Sequence, residues 1–285
     1  MNNTYLKITL RQAKNILYQL YNIEGHISVL PGEVDFNFRV KIENEEGYIL
    51  KISRPNENEN YLSFQQKLLE QIESNNENII APKLIKNTSG HTISTITDYY
   101  GTTRYVRLLS WISGRLWSQV NPHLDSLRFS LGQQCGLLTK SLQDFDHEEA
   151  HRKFVWDIAQ SLWTKEHLHL FEVDEQVILQ SFQQEFQESQ IDYTQLRKSV
   201  VHNDANDNNI LVSETLINPN VKTIIDYGDA IYTQIINDVA IACAYGIMGH
   251  NNPLDAALPI VKGYHESFPL QETELKHLYN CIAMR

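Results

Sequence analysis

The chain has 285 residues, which is enough for a sizeable core and for two lobes rather than one compact unit. Its hydrophobic fraction of 42% and charged fraction of 21% are those of an ordinary soluble protein. The formal net charge of −11 argues against binding to nucleic acid, which depends on basic patches; it suits an amine-bearing partner or simply solubility.

The first part of the chain is predicted to combine short strands with helices. Thr9 and Gln12 stand at the spacing of a capping box, which predicts the start of an amphipathic helix. A second helix is predicted around Leu62 and Leu69. Alternating apolar and polar residues predict strands over 27–30, 36–42, 48–52, 92–97 and 104–109. Residues 1–110 are therefore expected to form a small N-terminal lobe of antiparallel sheet and helices.

The remainder, residues 111–285, has mainly helical patterns. Helices are predicted over 124–142, 154–168, 173–186, 239–248 and 272–285. The fourth of these is apolar all round, which is typical of a buried helix. The expected fold class is therefore α+β. It pairs a small N-terminal antiparallel β-sheet lobe with a larger, mainly α-helical C-terminal lobe for catalysis and substrate binding.

The sequence also bears on location. No apolar run approaches the roughly 20 residues that span a bilayer, so no membrane partner is expected. The N-terminal residues lack the basic and apolar regions of a signal peptide. The three cysteines have no metal-binding or disulfide spacing, and an odd count suits a reducing cytoplasm.

The polar loop between the apolar segments 199–201 and 210–212 carries the most informative pattern. Asp204 and Asn209 are separated by 209 − 204 = 5 positions. This is the spacing of a catalytic loop in which an Asp accepts a proton from a substrate hydroxyl and an Asn holds Mg²⁺. An Asn- and Asp-rich surface turn would look similar. However, Asp226 follows a second apolar strand, where another metal-binding carboxylate belongs, so the pair of motifs predicts phosphoryl transfer.

Other residues near these motifs have two interpretations each. Asn209 and Asp226 are candidate Mg²⁺ ligands, since a hard cation prefers oxygen, although they could instead fix a loop and cap a turn. His202 is predicted to support the loop by hydrogen bonding rather than to exchange protons. Asn203 stands where a glycine is expected and tolerates a left-handed backbone. Asp229 is a candidate for contact with metal or a substrate amine, or for orienting the turn.

The N-terminal part supplies candidates for nucleotide binding. Lys51 ends a strand and is predicted to hold the nucleotide phosphates, although a lysine on an exposed strand face is common. Its partner is expected to be Gln65, with Glu59 and Glu70 as alternatives. Gly32 lies in the turn between the first two strands, whose backbone N–H groups are candidates to cover the phosphates.

Asp157 follows Trp156 in the C-terminal part. It is a candidate for binding a substrate ammonium or hydroxyl group. The alternative is a solvated helix residue beside a core tryptophan, and the sequence leaves both open.

These motifs resemble those of a known family. His202-Asn203-Asp204 through Asn209, with Ile225-Asp226-Tyr227-Gly228-Asp229, are similar to the HGDxxxxN and IDFGD motifs of the aminoglycoside phosphotransferase family of small-molecule kinases. Several further segments are similar to its hydroxylysine kinase subgroup: 30–38, Leu50-Lys51-Ile52, Phe64-Gln65, 154–157 and 238–242. In this subgroup the position of Gln65 is often Gln.

The resemblance implies a protein-kinase-like bilobal fold and an enzyme that uses ATP or GTP with Mg²⁺. The γ-phosphoryl group would pass to a hydroxyl of a small amine-bearing molecule, such as a hydroxylated amino acid or an amino alcohol. By motif matching Asp204 is the base, Asn209 and Asp226 bind metal, and Lys51 binds phosphate. The subgroup also occurs fused to a C-terminal aminotransferase-like domain, so the resemblance implies that a full-length protein could carry such a domain.

Two other functions stay open. One is a nucleotide-binding regulatory domain of a larger protein without turnover, because the usual Glu partner of Lys51 and a glycine-rich loop are missing. The other is phosphorylation of an aminoglycoside antibiotic, against which the subgroup features argue.

Overall fold

A computed structural model describes residues 8–32, 35–75, 79–99 and 101–285. The chain divides into two compact units. The first comprises Met1–Leu69 with Pro82–Ser113, and the second comprises Glu70–Ala81 with Gly114–Arg285. The predicted boundary between residues 110 and 111 stays a prediction.

The first unit is built on an antiparallel sheet that packs against a helix. Helix α1 spans Leu10–Tyr21, and helix α2, Glu59–Asn75, begins in this unit. The strands are β1 His26–Leu30, β2 Phe36–Lys41, β3 Tyr48–Ile52, β4 Leu84–Ile85, β5 Ser94–Thr97 and β6 Thr103–Ser110. They are ordered β1-β2-β3-β6-β4, and β5 also pairs with β6.

Local sequence signals explain this arrangement. Thr9 caps α1: its side chain accepts a hydrogen bond from the Gln12 backbone, and the Gln12 side chain accepts one from the Thr9 backbone, which confirms the capping box. Alternation places Phe38 and Val40 of β2 and Leu50 of β3 in the core, where the apolar face of α1 also packs. The sheet therefore holds β2, β3 and β6 in fixed register.

The second unit is mainly helical and contains two small antiparallel sheets. Its helices are α3 Asp125–Leu142, α4 Val173–Glu188, α5 Gln190–Thr194, α6 Ile236–Gly246, α7 Pro253–Ser267 and α8 Glu272–Ala283. Its strands are β7 Arg115–Leu116, β8 Lys198–Val201, β9 Ile210–Val212, β10 Val221–Ile224 and β11 Ile231–Gln234. The sheets are ordered β10-β9-β7 and β11-β8. Helices and antiparallel sheets together confirm the α+β class.

Several elements differ in detail from the predictions. The segment predicted as a helix over 154–168 is a 3-10 helix over Ile158–Leu170, begun by Asp157. Helix α7 has no counterpart among the predicted helices, although Asn252 caps it and Pro253 stands in its first turn. Helix α6 is buried almost throughout, as its apolar sequence predicts.

Within the described ranges, no helix combines the length and apolar character needed to cross a membrane.

Candidate active site

Two sheets bring the predicted motifs of the second unit together. Strand β8 pairs with β11, with Val201 opposite Ile231, and β9 pairs with β10, with Ile210 opposite Ile224. The loop from β8 to β9 carries Asp204, and the connection from β10 to β11 carries Asp226. Because each loop is anchored at both ends by these pairings, the two motifs lie side by side.

Hydrogen bonds join the two loops directly. The Ile225 backbone N–H donates to the Asn209 carbonyl at 2.8 Å. His202 Nε2 lies 3.0 Å from the Ile225 carbonyl oxygen. Since a carbonyl can only accept, Nε2 carries the proton in this contact. Hydrogen bonds therefore connect the two motifs to each other.

The carboxylate of Asp204 is held by three side chains. Its Oδ2 accepts hydrogen bonds from Asn206 Nδ2 at 2.9 Å and from Asn209 Nδ2 at 2.7 Å. Its Oδ1 accepts one from the Arg285 guanidinium at 2.8 Å. Burial raises the pKa of Asp204, against the lowering effects of Asn206 and Arg285, and the nearby Asp226 charge raises it further. The carboxylate is thus held in one orientation.

Asn209 and Asp226 present oxygen atoms of the kind that Mg²⁺ prefers. The Asn209 amide nitrogen is directed to Asp204, donating to its carbonyl at 3.0 Å and to its carboxylate, and the amide oxygen accepts no hydrogen bond from any described residue. Asp226 is exposed, with a left-handed backbone at φ 64°. One amide oxygen and one exposed carboxylate fit a magnesium ion that takes its remaining ligands from water and phosphate.

Protein side chains alone do not complete a metal centre here. In the part of the chain that the structure describes, no group of three or more His, Cys, Asp or Glu side chains is placed to hold a metal ion.

His202 is fully buried and bonded through both ring nitrogens. Besides the contact of Nε2 with Ile225, its Nδ1 accepts a hydrogen bond from the Asp204 backbone N–H at 3.2 Å. Burial lowers its pKa to about 4, so the ring is neutral at neutral pH. The ring also packs edge-on against Tyr227, at 4.9 Å between centroids. These contacts fix the backbone on which Asp204 sits.

Asp238 in α6 anchors the start of the same loop. Its carboxylate accepts hydrogen bonds from the backbone N–H groups of Asn203 at 2.9 Å and of His202 at 3.4 Å. Burial raises its pKa to about 6. Sequence reasoning gave this residue no role, although a carboxylate inside an apolar helix is a signal of a buried partner.

Asp229 lies in the 3-10 turn over Tyr227–Asp229. Its pKa is raised to about 6 by burial and then by the charges of Asp204 and Asp226. Arg152 is nearby and donates to the carbonyl groups of Gly228 at 3.2 Å and Ala230 at 2.8 Å. Three carboxylates thus share one acidic neighbourhood.

Asp157 is buried and caps the 3-10 helix that follows it. Its Oδ1 accepts hydrogen bonds from the Ala159 backbone at 3.1 Å, from Thr233 Oγ1 at 2.9 Å and from Asn237 Nδ2 at 3.4 Å. Burial raises its pKa. The Oδ2 atom has one long contact, with Gln160 at 3.4 Å. The residue is therefore not a solvated helix position; contact with substrate stays a prediction.

Arg285 lies against Asp204, and no sequence pattern predicted this contact. It follows α8 and reaches Asp204 from a distant part of the chain, with only 8% of its side chain exposed. Because these residues lie far apart in the sequence, tertiary packing brings them together, and no local sequence pattern predicts the contact.

The first unit places one of the expected nucleotide-binding residues, Lys51, on strand β3 of its sheet. Lys51 on β3 stands opposite Asn37 of β2 and Arg107 of β6. Arg107 donates to Gln65 Oε1 at 2.7 Å and pairs with Asp35 at 3.1 Å. Directly opposed residues share a sheet face, so Lys51 has a buried arginine beside it. The expected Lys51–Gln65 contact stays a prediction.

Gly32 lies next to residues outside the described ranges. A methyl group at this position would overlap the side-chain amide of Asn37 and lie 2.8 Å from the Asp35 carbonyl oxygen. A side chain is therefore excluded here by the close approach of the chain after the turn. Its phosphate-covering role stays a prediction.

Comparison with known proteins decides the family. The model of the phosphotransferase enzyme family matches residues 26–270, which is most of the chain. The chain belongs to this family. A hydroxylysine kinase from Xenopus laevis is 26% identical over 100% of this chain and 82% of its own length. The phosphotransferase is thus a small-molecule kinase that acts on a hydroxyl group.

Solved structures of other small-molecule kinases share the fold. A microcompartment-associated aminopropanol kinase matches with a TM-score of 0.75 and 17% identity, covering 97% of this chain and 86% of its own. An amicoumacin kinase, solved with AMP-PNP and Ca²⁺, matches with a TM-score of 0.73 and 17% identity over 98% and 84% of the two chains. These likenesses confirm the protein-kinase-like fold.

Proposed function

We propose that this phosphotransferase is a Mg²⁺-dependent kinase that moves the γ-phosphoryl group of ATP or GTP to a hydroxyl of a small amine-bearing molecule. The acceptor would be a hydroxylated amino acid or an amino alcohol. The observation that carries the proposal is the placement of Asp204 between Asn209 and Arg285, in the loop bonded to the Asp226 turn.

Asp204 would orient the acceptor hydroxyl and take its proton. As the hydroxyl oxygen bonds to the γ-phosphorus, the bond from that phosphorus to the leaving β-phosphate oxygen breaks, and the proton passes to an Asp204 carboxylate oxygen. Hydrogen bonds from Asn206 and Asn209 hold the carboxylate in place. The pKa raised by burial makes it a better base than a solvent-exposed Asp.

Asn209 and Asp226 would hold Mg²⁺, which neutralises phosphate charge when bound. Lys51 would bind the phosphates, with Arg107 beside it on the same sheet face. The backbone near Gly32 would cover them. The amicoumacin kinase structure, which contains the ATP analogue AMP-PNP, supports a nucleotide co-substrate.

The amine of the acceptor would be attracted by the carboxylates of Asp157 and Asp229, of which Asp229 shares the acidic neighbourhood of Asp204 and Asp226. The relatives named for hydroxylysine and aminopropanol support this acceptor class, because both molecules carry a hydroxyl and an amine on a short chain. A cytoplasmic location, to which the three buried free cysteines are suited, is part of the proposal.

The test is a coupled nucleotide-turnover screen of hydroxylated amino acids and amino alcohols with ATP and with GTP. D204N is expected to lower kcat by about 10²–10⁴-fold, the usual contribution of a positioned general base. D207N is the matched control, because Asp207 lies in the same loop and outside the predicted set. Tight nucleotide binding without transfer to any acceptor would favour a regulatory domain. Preferential turnover of aminoglycosides would favour the antibiotic kinase.

A further inference from the structure

Arg285 fixes a positive charge next to the proposed base. Its guanidinium donates to Asp204 Oδ1 at 2.8 Å and to the Trp156 carbonyl at 3.2 Å, and it lies 5.6 Å from the centre of the Tyr245 ring. A guanidinium has five N–H donors. The described residues accept two hydrogen bonds from it, so further donors remain for a ligand that binds beside Asp204.

The same side chain lines a cavity of about 50 Å³ in the second unit. Trp156 and Trp163 supply aromatic walls, and Asp157 and Ser161 supply polar atoms. A space of this size holds a small group such as one carboxylate and not a whole substrate. The rest of an acceptor whose carboxylate lies in the cavity would have to lie outside it, on the side where the Arg285 guanidinium contacts Asp204.

Ser161 is a second, independent sign of a ligand. The residue is only 6% exposed, and its hydroxyl oxygen is buried without a hydrogen-bond partner among the described residues. An unsatisfied buried hydroxyl costs about 1–3 kcal/mol. A polar ligand atom in the cavity would remove that cost, because the hydroxyl can donate a hydrogen bond to it.

The chemistry of these donors favours an anion. A planar guanidinium and a hydroxyl are both suited to donate to carboxylate oxygens, and the guanidinium fork matches carboxylate geometry. An ammonium group directly beside the guanidinium would face the positive charge of Arg285, whereas the Asp157 carboxyl in the wall of the same cavity is suited to the amine of the acceptor. The aromatic walls supply apolar surface for the adjoining carbon atoms.

We propose that Arg285 and Ser161 bind the carboxylate of the acceptor, so that the preferred substrate is a hydroxylated amino acid rather than an amino alcohol without a carboxyl group. This inference rests on the proposed kinase function. Arg285 then acts as a specificity-determining residue, and its contact with Asp204 brings the bound carboxylate and the base to the same place.

The experiment compares acceptor pairs that differ only by the carboxyl group: threonine with aminopropanol, and hydroxylysine with its decarboxylated form. For each pair we expect the wild type to favour the acid. R285A should lower the acid-to-amine ratio of kcat/KM by about 10–100-fold, chiefly through KM, as expected when a charge-assisted pair is lost. The ratio cancels any common effect of the substitution on Asp204.

Three further variants sharpen the result. R285K keeps the charge without the fork and should restore part of the ratio, whereas S161A should lower it less than R285A does. R115A is the matched control, because the Arg115 guanidinium bonds to the backbone carbonyls of Ser213 and Thr215 and does not line the cavity. It should leave the ratio unchanged. Thermal unfolding of each variant checks that it is folded.

Calorimetric binding of the same pairs, with Mg²⁺ and AMP-PNP present, separates this inference from the proposed function. The inference is supported if the amino acid of each pair binds more tightly than its decarboxylated form and if R285A removes this preference. This holds even where no phosphoryl group is transferred, because the lack of transfer would refute only the proposed kinase activity. Equal binding of acid and amine by the wild type overturns the inference. The inference is also overturned if R285A changes kcat/KM by the same factor for both members of a pair.

Discussion

At the residue scale, two left-handed backbone positions shape the loops of the site. Asn203 has φ 64° just before Asp204, and Asp226 has φ 64° at the head of its turn. Both are residue types that enter this region more readily than most. Asn203 differs from Asp226 in its surroundings, since both amide atoms of its side chain are buried without hydrogen-bond partners in the described structure.

The substitution N203G is expected to stabilise the protein by about 1 kcal/mol. Glycine adopts the left-handed backbone without cost and removes a buried, unpaired amide, while its larger unfolded-state entropy offsets part of the gain. Urea unfolding of both proteins measures the difference. N218G is the control, because Asn218 is exposed and also left-handed at φ 50°, so it isolates the backbone contribution. A clear loss of stability in N203G would show that the amide makes a favourable contact.

At the element scale, glycines set the distance between α3 and α7. A methyl group on Gly132 of α3 would overlap the Ile260 carbonyl oxygen, and one on Gly263 of α7 would overlap the Phe129 carbonyl oxygen. The helices therefore touch through their backbones. Backbone contact is possible only where the facing surfaces of the two helices carry glycine instead of a larger residue. Helix α3 also packs against β8 and β10.

G132A is expected to lower the free energy of unfolding by about 2 kcal/mol. Overpacking costs about 1–3 kcal/mol, and the better helix propensity of alanine returns up to about 1 kcal/mol. The measurement is chemical denaturation. G90A is the comparison, because nothing lies within 4 Å of a methyl group at Gly90 and only its left-handed backbone at φ +86° opposes the change. Equal losses in the two variants would contradict close helix contact.

At the scale of the whole molecule, a bound ligand stabilises the folded state in proportion to its affinity. The acidic neighbourhood of Asp204, Asp226 and Asp229 raises the pKa of Asp229 to about 6 through burial and mutual repulsion. A divalent cation would relieve that repulsion. Thermal stability therefore reports on metal binding without any need for turnover.

Mg²⁺ together with AMP-PNP is expected to raise the Tm of the wild type by several degrees, as a ligand at about 100 times its Kd adds about 2.7 kcal/mol. D226N and N209A should require at least about tenfold more Mg²⁺ for the same shift, because D226N removes the negative charge of one ligand and N209A removes an oxygen ligand. D207N, in the same loop, should behave as the wild type. An unchanged Mg²⁺ requirement in D226N and N209A would place the metal elsewhere.

Several secondary-structure elements could be predicted because the residues that specify them lie close together in the sequence. The capping box at Thr9, the alternation that forms β2 and β3, and the apolar helix α6 are each set by residues a few positions apart. The spacing of Asp204 and Asn209 is likewise local, so the reaction class could be predicted. The helix predicted over 154–168 is instead a 3-10 helix over Ile158–Leu170, a difference that lies in the backbone hydrogen bonds of the folded segment.

Tertiary structure alone decided which distant groups meet. Asp238 reaches the backbone of Asn203, Arg107 lies between Gln65 and Asp35, and Arg285 lies against Asp204. Each contact joins residues from separate elements, so its existence depends on how sheets and helices pack rather than on any repeating pattern. The physical reason is that burial and charge pairing act through space, whereas propensity and periodicity act along the chain.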